Sequence, residues 1–279
     1  MYFYYTIQAL LGKTENKTSF STDSFNEEEQ LLLLKRSNEI FTECTYYILK
    51  IFIHYLYAQY NKALEYVEKA RPFLATQEGQ PTMVFMYLYY GLTLTALSTQ
   101  KPENRKKYMK HLTSIIKKFS VWSQHCPANY RSDYLLLKAE YYRLKKQPFK
   151  AEILYAKAVK SAEKNEYINK EAIVNECAGR FYLANGLETN ALAFFKEACY
   201  CFEKWRAKIK LRHMEEQYPF LSKELYPTRM KKNGASDTET LDSTRYDMRA
   251  ILRTTRDITD EIRLNNLLKK IMHTVITNA

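Results

Sequence analysis

Gly12-Lys13-Thr14 has the residue order that ends a phosphate-binding loop, where backbone N–H groups and a lysine cradle phosphate oxygens. Such a loop also needs a glycine five residues earlier, where Ile7 stands, and a strand before it; here the preceding segment has a helical pattern. No two of the five histidines, His54, His111, His125, His213 and His273, stand at i, i+3 or i+4 to each other with a carboxylate, so no local metal site is written. His125-Cys126 are neighbours, and neighbouring residues on a helix or turn point apart, which argues against a Cys–His dyad. Cys199 and Cys201 stand about 200° apart on a helix and are badly placed to share a metal. Glu27-Glu28-Glu29 could be a carboxylate cluster, but at a helix's first turn the positive end of the dipole accounts for it. Asp133 and Glu140 share a helix at a spacing too long for an acid–base pair. No G-x-S-x-G, kinase catalytic loop, D-F-G or H-E-x-x-H is present. The reading is therefore a chain with no catalytic residue, no cofactor site and no metal site.

The patterned residues are of another kind. Ala139, Tyr142, Ala151, Tyr155 and Ala158 recur as Gly179, Tyr182, Ala191, Phe195 and Ala198, 40 residues later, and Ala63, Val67 and Ala70 form a fainter upstream copy. A period near this length marks stacked helical hairpins. Small residues let two helices approach and the ring fills the groove between hairpins, so these positions are read as repeat packing and not as a ligand site. Gly (6) and Pro (7) are scarce, which favours long helices, and the abundant Tyr (24) suits half-buried positions with a wet tip.

The elements that must hold this pattern follow from periodicity and punctuation. A first helix spans 2–11. Ser24 with Glu27 reads as a capping box for a helix at 25–38. Paired helices follow at 41–58 with 61–74, 82–98 with 102–124, 130–145 with 148–163 and 168–185 with 188–205, then a closing helix at 207–216. Asn61 is expected to cap the helix at 61–74, Pro148 to occupy a first turn, and Gly186 to end a helix. The expected fold is all-α: a solenoid of hairpins over 1–221. A linker at 222–240 and an amphipathic helix at 241–279 come after it. The apolar stripe of that last helix is Leu264, Leu267, Leu268, Ile271, Met272, Val275 and Ile276. A stripe with no partner of its own suits docking or dimerisation. The concave side, built by the first helix of each hairpin, is expected to be able to receive a peptide or helix.

The formal charge is +12. Lys106–Lys107, Lys117–Lys118, Lys145–Lys146 and Lys231–Lys232 are scattered pairs, so a solvated face is the plainer reading and a nucleic-acid footprint the alternative. Cys44, Cys126, Cys177, Cys199 and Cys201 form no CxxC pair, no secretory signal is visible, and the apolar stretch 46–60 is too short to span a bilayer. A cytoplasmic protein with reduced thiols is expected.

The offsets of small and aromatic residues resemble the tetratricopeptide repeat, with longer turns and without that family's proline after the last alanine. A narrower likeness runs from Phe20–Phe25 and Glu27-Glu28-Glu29 through Tyr47-Ile48-Leu49-Lys50, Tyr60-Asn61-Lys62-Ala63-Leu64 and Trp122 with Cys126-Pro127-Ala128-Asn129-Tyr130. It continues at Asn175-Glu176, Phe181-Tyr182-Leu183, Tyr200-Cys201-Phe202 and Trp205, ending at Gln217-Tyr218-Pro219. These stretches resemble the helical region of large signalling proteins that join a serine/threonine kinase, an AAA-type ATPase, helical repeats, a GAF domain and a sensor histidine kinase. The stripe near the end of the chain looks like the helix leading into the GAF domain. The resemblance implies a non-catalytic helical scaffold from such a protein, or a free-standing remnant of one, with neighbouring signalling domains or protein partners. It carries over no catalytic residue, and neither His213 nor His273 sits in a phosphoacceptor motif.

Overall fold

A computed structural model describes residues 1–221, which fall within one unit of the chain, Met1–Leu225. The expected linker, 222–240, and the helix carrying Leu264, Leu267, Leu268, Ile271, Met272, Val275 and Ile276 lie outside the described residues.

The described residues are helical, with one isolated β-bridge between Thr22 and Phe25. The helices are α1 (Tyr2–Leu11), α2 (Glu27–Arg36), α3 (Ile40–Leu56), α4 (Tyr60–Ala70), α5 (Pro81–Gln100), α6 (Arg105–His125), α7 (Pro127–Leu144), α8 (Pro148–Lys164), α9 (Ile168–Ala184), α10 (Glu188–Lys204) and α11 (Lys208–Gln217). They pack as hairpins, α3 with α4, α5 with α6, α7 with α8 and α9 with α10, and each hairpin leans on the next. The fold is thus an all-α hairpin solenoid.

The starts and stops have local causes. Pro127 and Pro148 open α7 and α8 at positions where a missing N–H costs nothing. Pro72 ends α4 earlier than the periodicity suggests. Its ring clashes with the carbonyl four residues back, and the chain tightens into a 3₁₀ segment, Arg71–Gln77. Two expected caps are corrected. Asn26, and not Ser24, caps α2: its side chain accepts from the N–H groups of Glu28 and Glu29. Asn61 lies inside α4 and its amide oxygen accepts from Lys101.

The end of α1 at Gly12 and six short joints between consecutive helices share one turn. Asn38, Ala58, Lys146, Glu166, Gly186 and Arg206 have φ between 56° and 74°. After each, the next N–H bonds back five residues, as in Gln59 to His54, Gln147 to Tyr142 and Leu187 to Tyr182. This is the Schellman geometry, which satisfies the last carbonyls of a helix. Only one of the six uses glycine. The other five hold a side chain in a region that costs about 1–2 kcal/mol, so the hairpin packing must hold them there.

The array also meets itself. α1 packs on both α3 and α11. Phe52 of α3 lies 6.1 Å from Trp205, ring to ring, and Tyr55 of α3 reaches Cys177 of α9. Every residue of α3 from Glu43 to Leu56 is buried. The expected open concave side is corrected accordingly. The face of α3 is interior, covered by Cys177 and Arg180 of α9, by Trp205 at the end of α10 and by Lys210 of α11.

Candidate functional site

The repeat-packing residues lie in the seams between helices. Ala63, Ala70, Ala139, Ala151, Ala158, Ala191 and Ala198 are wholly buried, as are Tyr155 and Phe195. At Gly179 a Cβ would stand 2.7 Å from the Phe195 ring, so the absence of a side chain there lets α9 and α10 meet. The two tyrosines of the pattern differ. Tyr182 is buried, stacks on Phe194 at 5.1 Å and donates to Glu152, whereas Tyr142 is half-buried with the Lys150 ammonium 5.3 Å over its ring. The faint upstream copy has the same geometry. The thiol of Cys44 faces the carbonyl of Ala70 as the hydroxyl of Ser132 faces that of Ala158.

Three clusters of buried charge lie outside this apolar pattern. The largest closes the array. Glu176 on α9 accepts from Lys210 on α11 at 2.7 Å, and Lys210 also donates to the Leu56 carbonyl at the end of α3. Arg180, one turn on from Glu176, donates to the hydroxyls of Tyr55 and Tyr60, both at 3.2 Å, and to the Cys177 sulfur. Burial pushes the Glu176 carboxyl up, but Lys210 and Arg180 outweigh it and hold it below its ordinary value. Burial lowers the Lys210 ammonium, with Glu176 opposing. Beside it, Glu140 accepts from Arg143 at 2.6 Å and from the Tyr155 hydroxyl.

The second cluster ties the N-terminal segment to α3. Glu27 accepts from the N–H of Phe20, the hydroxyl of Tyr46 and the ammonium of Lys50, each at 2.6 Å. Lys50 donates in turn to the carbonyl of Thr18. This corrects the expectation that the helix dipole accounts for Glu27. Its carboxylate is a buried anchor, and only Glu28 and Glu29 stay at the solvated first turn. Nearby, Nδ1 of His54 donates to the side-chain oxygen of Gln59 at 2.7 Å, and burial lowers this histidine to about 4. In the third cluster Lys170 reaches Asp133 at 2.7 Å, linking α9 to α7. There burial wins, and the Asp133 carboxyl stays above its usual value.

Chemically these clusters are engaged with themselves. Glu27, Glu140 and Glu176 already accept from cations and hydroxyls. Burial raises the thiols of Cys44 and Cys177 to about 11, which leaves little thiolate at neutral pH. Among the described residues no grouping of His, Cys, Asp and Glu is arranged to hold a metal ion. Gly12 is a left-handed helix end bonded back to Ala9, with Ile209 against it, and Lys13 bonds back to Gln8. That is a helix stop and not a phosphate cradle. His125 ends α6 and Cys126 follows it. Among the described residues no helix is long and apolar enough to cross a membrane.

The chain matches no protein-family profile, no curated protein and no solved structure. Sequence reasoning missed Glu176, Arg180, Lys210, Glu27 and Lys50. One signal was present. Lys50 stands in the most apolar run of the chain, and a lone charge there implies a buried partner.

Proposed function

We propose that this chain is a non-catalytic helical scaffold, the connector region of a kinase–ATPase–histidine kinase signalling protein or a free-standing remnant of one. The observation that supports it best is the closure of the array through Glu176, Arg180 and Lys210. Ionisable groups that could serve an acid, base or nucleophile are spent on joining the first hairpin to the last. A stack joined end to end is stiffer than an open solenoid and can hold neighbouring domains at a set distance. Partners would then meet its outer helices, because the face of α3 is filled.

Two measurements test this. Incubation of the purified chain with labelled ATP and magnesium should give no turnover above buffer; turnover that co-purifies with the chain overturns the non-catalytic reading. The coding regions on either side should encode a kinase and ATPase upstream and a GAF domain and histidine kinase downstream, or their remnants. Unrelated neighbours, together with no partner from such a system, overturn the connector reading.

A further inference from the structure

We infer that the outer face of α6 is a docking surface for an acidic helix of a partner protein, an inference that rests on the scaffold reading and locates its contact. No Asp or Glu occurs between Glu103 and Asp133, whereas Arg105, Lys106, Lys107, Lys110, Lys117, Lys118 and Arg131 all fall there. α6 buries Tyr108, Leu112, Ile115 and Phe119 against its neighbours. Its exposed positions include Lys106, Lys107, Lys110, Lys117 and Lys118, with Thr113, Ser114 and Val121 between and beyond them.

The other outer helices are different. α4 exposes Lys62 with Glu65 and pairs Glu68 with Arg71. α8 exposes Glu152 and Glu163 among its lysines, and α10 opens on an exposed Glu188. Each carries both signs, as a solvated face does. On α6 none of Lys106, Lys107, Lys110 and Lys117 makes an ion pair or side-chain hydrogen bond to another described residue, and Lys118 lies over the Tyr87 ring. Unopposed like charges at i, i+4 (Lys106 and Lys110) and i, i+3 (Lys107 and Lys110) repel one another, so the face is stabilised by an anion that spans it.

Spacing chooses the anion. Lys106, Lys110 and Lys117 stand at i, i+4 and i+11 on one stripe. At 1.5 Å rise per residue they are about 6 and 10 Å apart along the axis. A second helix with carboxylates at i, i+4, i+7 and i+11 has the same rise and can run beside them, with Thr113 and Ser114 leaving room between. Nucleic acid carries charge at a much finer interval along its axis and has no need of this period. The stripe is also made of lysine, a point charge, and not of the arginine forks that suit phosphate.

The test uses the full chain and fluorescence anisotropy. The probe is a labelled alanine-based helical peptide with glutamates at i, i+4, i+7 and i+11. A scrambled peptide of equal composition and a labelled oligothymidylate serve as comparisons. Wild type should bind the periodic peptide at low salt, more tightly than the other two, and release it as salt rises. The triple variant Lys106→Glu, Lys110→Glu, Lys117→Glu should bind it about tenfold or more weakly. Its circular dichroism should be unchanged, because all three side chains are exposed. Reversal of the exposed Lys157, Lys160 and Lys164 on α8 should leave binding within about twofold of wild type. No binding by wild type, equal binding of the scrambled peptide, tighter binding of oligothymidylate, or equal binding by the triple variant each overturns the inference. Any of these leaves the scaffold reading standing, since that one falls on ATP turnover or on its gene neighbours.

Discussion

The seam between α9 and α10 and the seam where α3 meets α9 and α11 hold the same array by opposite means. The first is apolar and made by small residues: Gly179 under the Phe195 ring, Ala191 and Ala198 against the facing helix. The second is ionic and made by long residues: Lys210 threaded between Glu176 and the Leu56 carbonyl, Arg180 between two tyrosine hydroxyls. The apolar seam joins helices that are neighbours in sequence and can be repeated without limit. The ionic seam ties the end of α3 and the start of α4 to Arg180 and Lys210, more than a hundred positions later, and occurs where repetition must stop. An apolar seam tolerates sliding, while a buried charge accepts one geometry only, so the closure fixes how far the stack turns.

The comparison breaks most sharply at Lys210. Lys210→Met leaves the Glu176 carboxylate buried with only Arg180 at 3.6 Å, and it should lower unfolding free energy by about 3–5 kcal/mol. Urea denaturation followed by circular dichroism measures it. Adding Glu176→Leu should recover a large part of that loss, because the cost comes from an orphaned charge and not from the pair's own attraction. A silent single variant would mean that the last hairpin is held by its apolar contacts alone.

Next comes the apolar seam. Gly179→Leu drives a side chain into the buried Phe195 ring and should cost about 3 kcal/mol, the upper part of the range for overpacking. The double variant with Phe195→Ala should regain some of it, since it opens the space that the new side chain needs. Thermal unfolding reads both. Equal melting temperatures for Gly179→Leu and wild type would show that the α9–α10 seam is loose.

This contrast also explains what was legible in the sequence. Helix positions were readable because amphipathic periodicity, Pro148 and Gly186 are local signals. The 40-residue recurrence revealed the apolar seam because a repeated contact leaves a repeated spacing. Four of the non-glycine Schellman turns were invisible, since Ala58, Lys146, Glu166 and Arg206 have no propensity for left-handed backbone and adopt it under tertiary constraint, whereas Asn38 is a residue that tolerates it. The closure was invisible for a different reason. Glu176, Arg180 and Lys210 look like ordinary surface charges on amphipathic helices, and only the fold shows that their faces turn inward. The same blindness made an open concave groove look plausible and hid the role of Glu27.

A smaller effect separates the N-terminal cluster from the closing one. His54 is held neutral, with its pKa lowered to about 4 by burial against an unfolded value of 6.5. The groups around it are Gln59, Tyr66, Lys50, Glu27 and Lys62. The unfolded chain therefore binds a proton between those values that the folded chain refuses. Stability is present above pH 6.5 and is lost as pH falls toward 4, by about 2 kcal/mol at pH 5 relative to pH 7. His54→Asn keeps a donor for Gln59 and should flatten this limb. Glu27, Glu140 and Glu176, all held below their ordinary values, add a further loss below the carboxylate range. Asp133, held above its own, works against that loss. Urea midpoints at pH 7, 6 and 5 for wild type and His54→Asn check the sign. A limb that persists in the variant would assign it to another group.

The smallest effect isolates burial as the variable. Lys62 and Glu65 on α4 form the same kind of ion pair as Lys210 and Glu176, at 3.3 Å instead of 2.7 Å, but with side chains 61% and 54% exposed. Water screens both charges, and a freed partner is simply rehydrated. Lys62→Met should therefore change stability by no more than about 0.5 kcal/mol, near the error of a urea titration. Lys62→Met beside Lys210→Met removes one ammonium from one carboxylate in each case. A large loss at Lys62 would mean that α4 is held by its surface charges. A small loss there with a large one at Lys210 shows that the closing pair matters because separating it strands a carboxylate away from water.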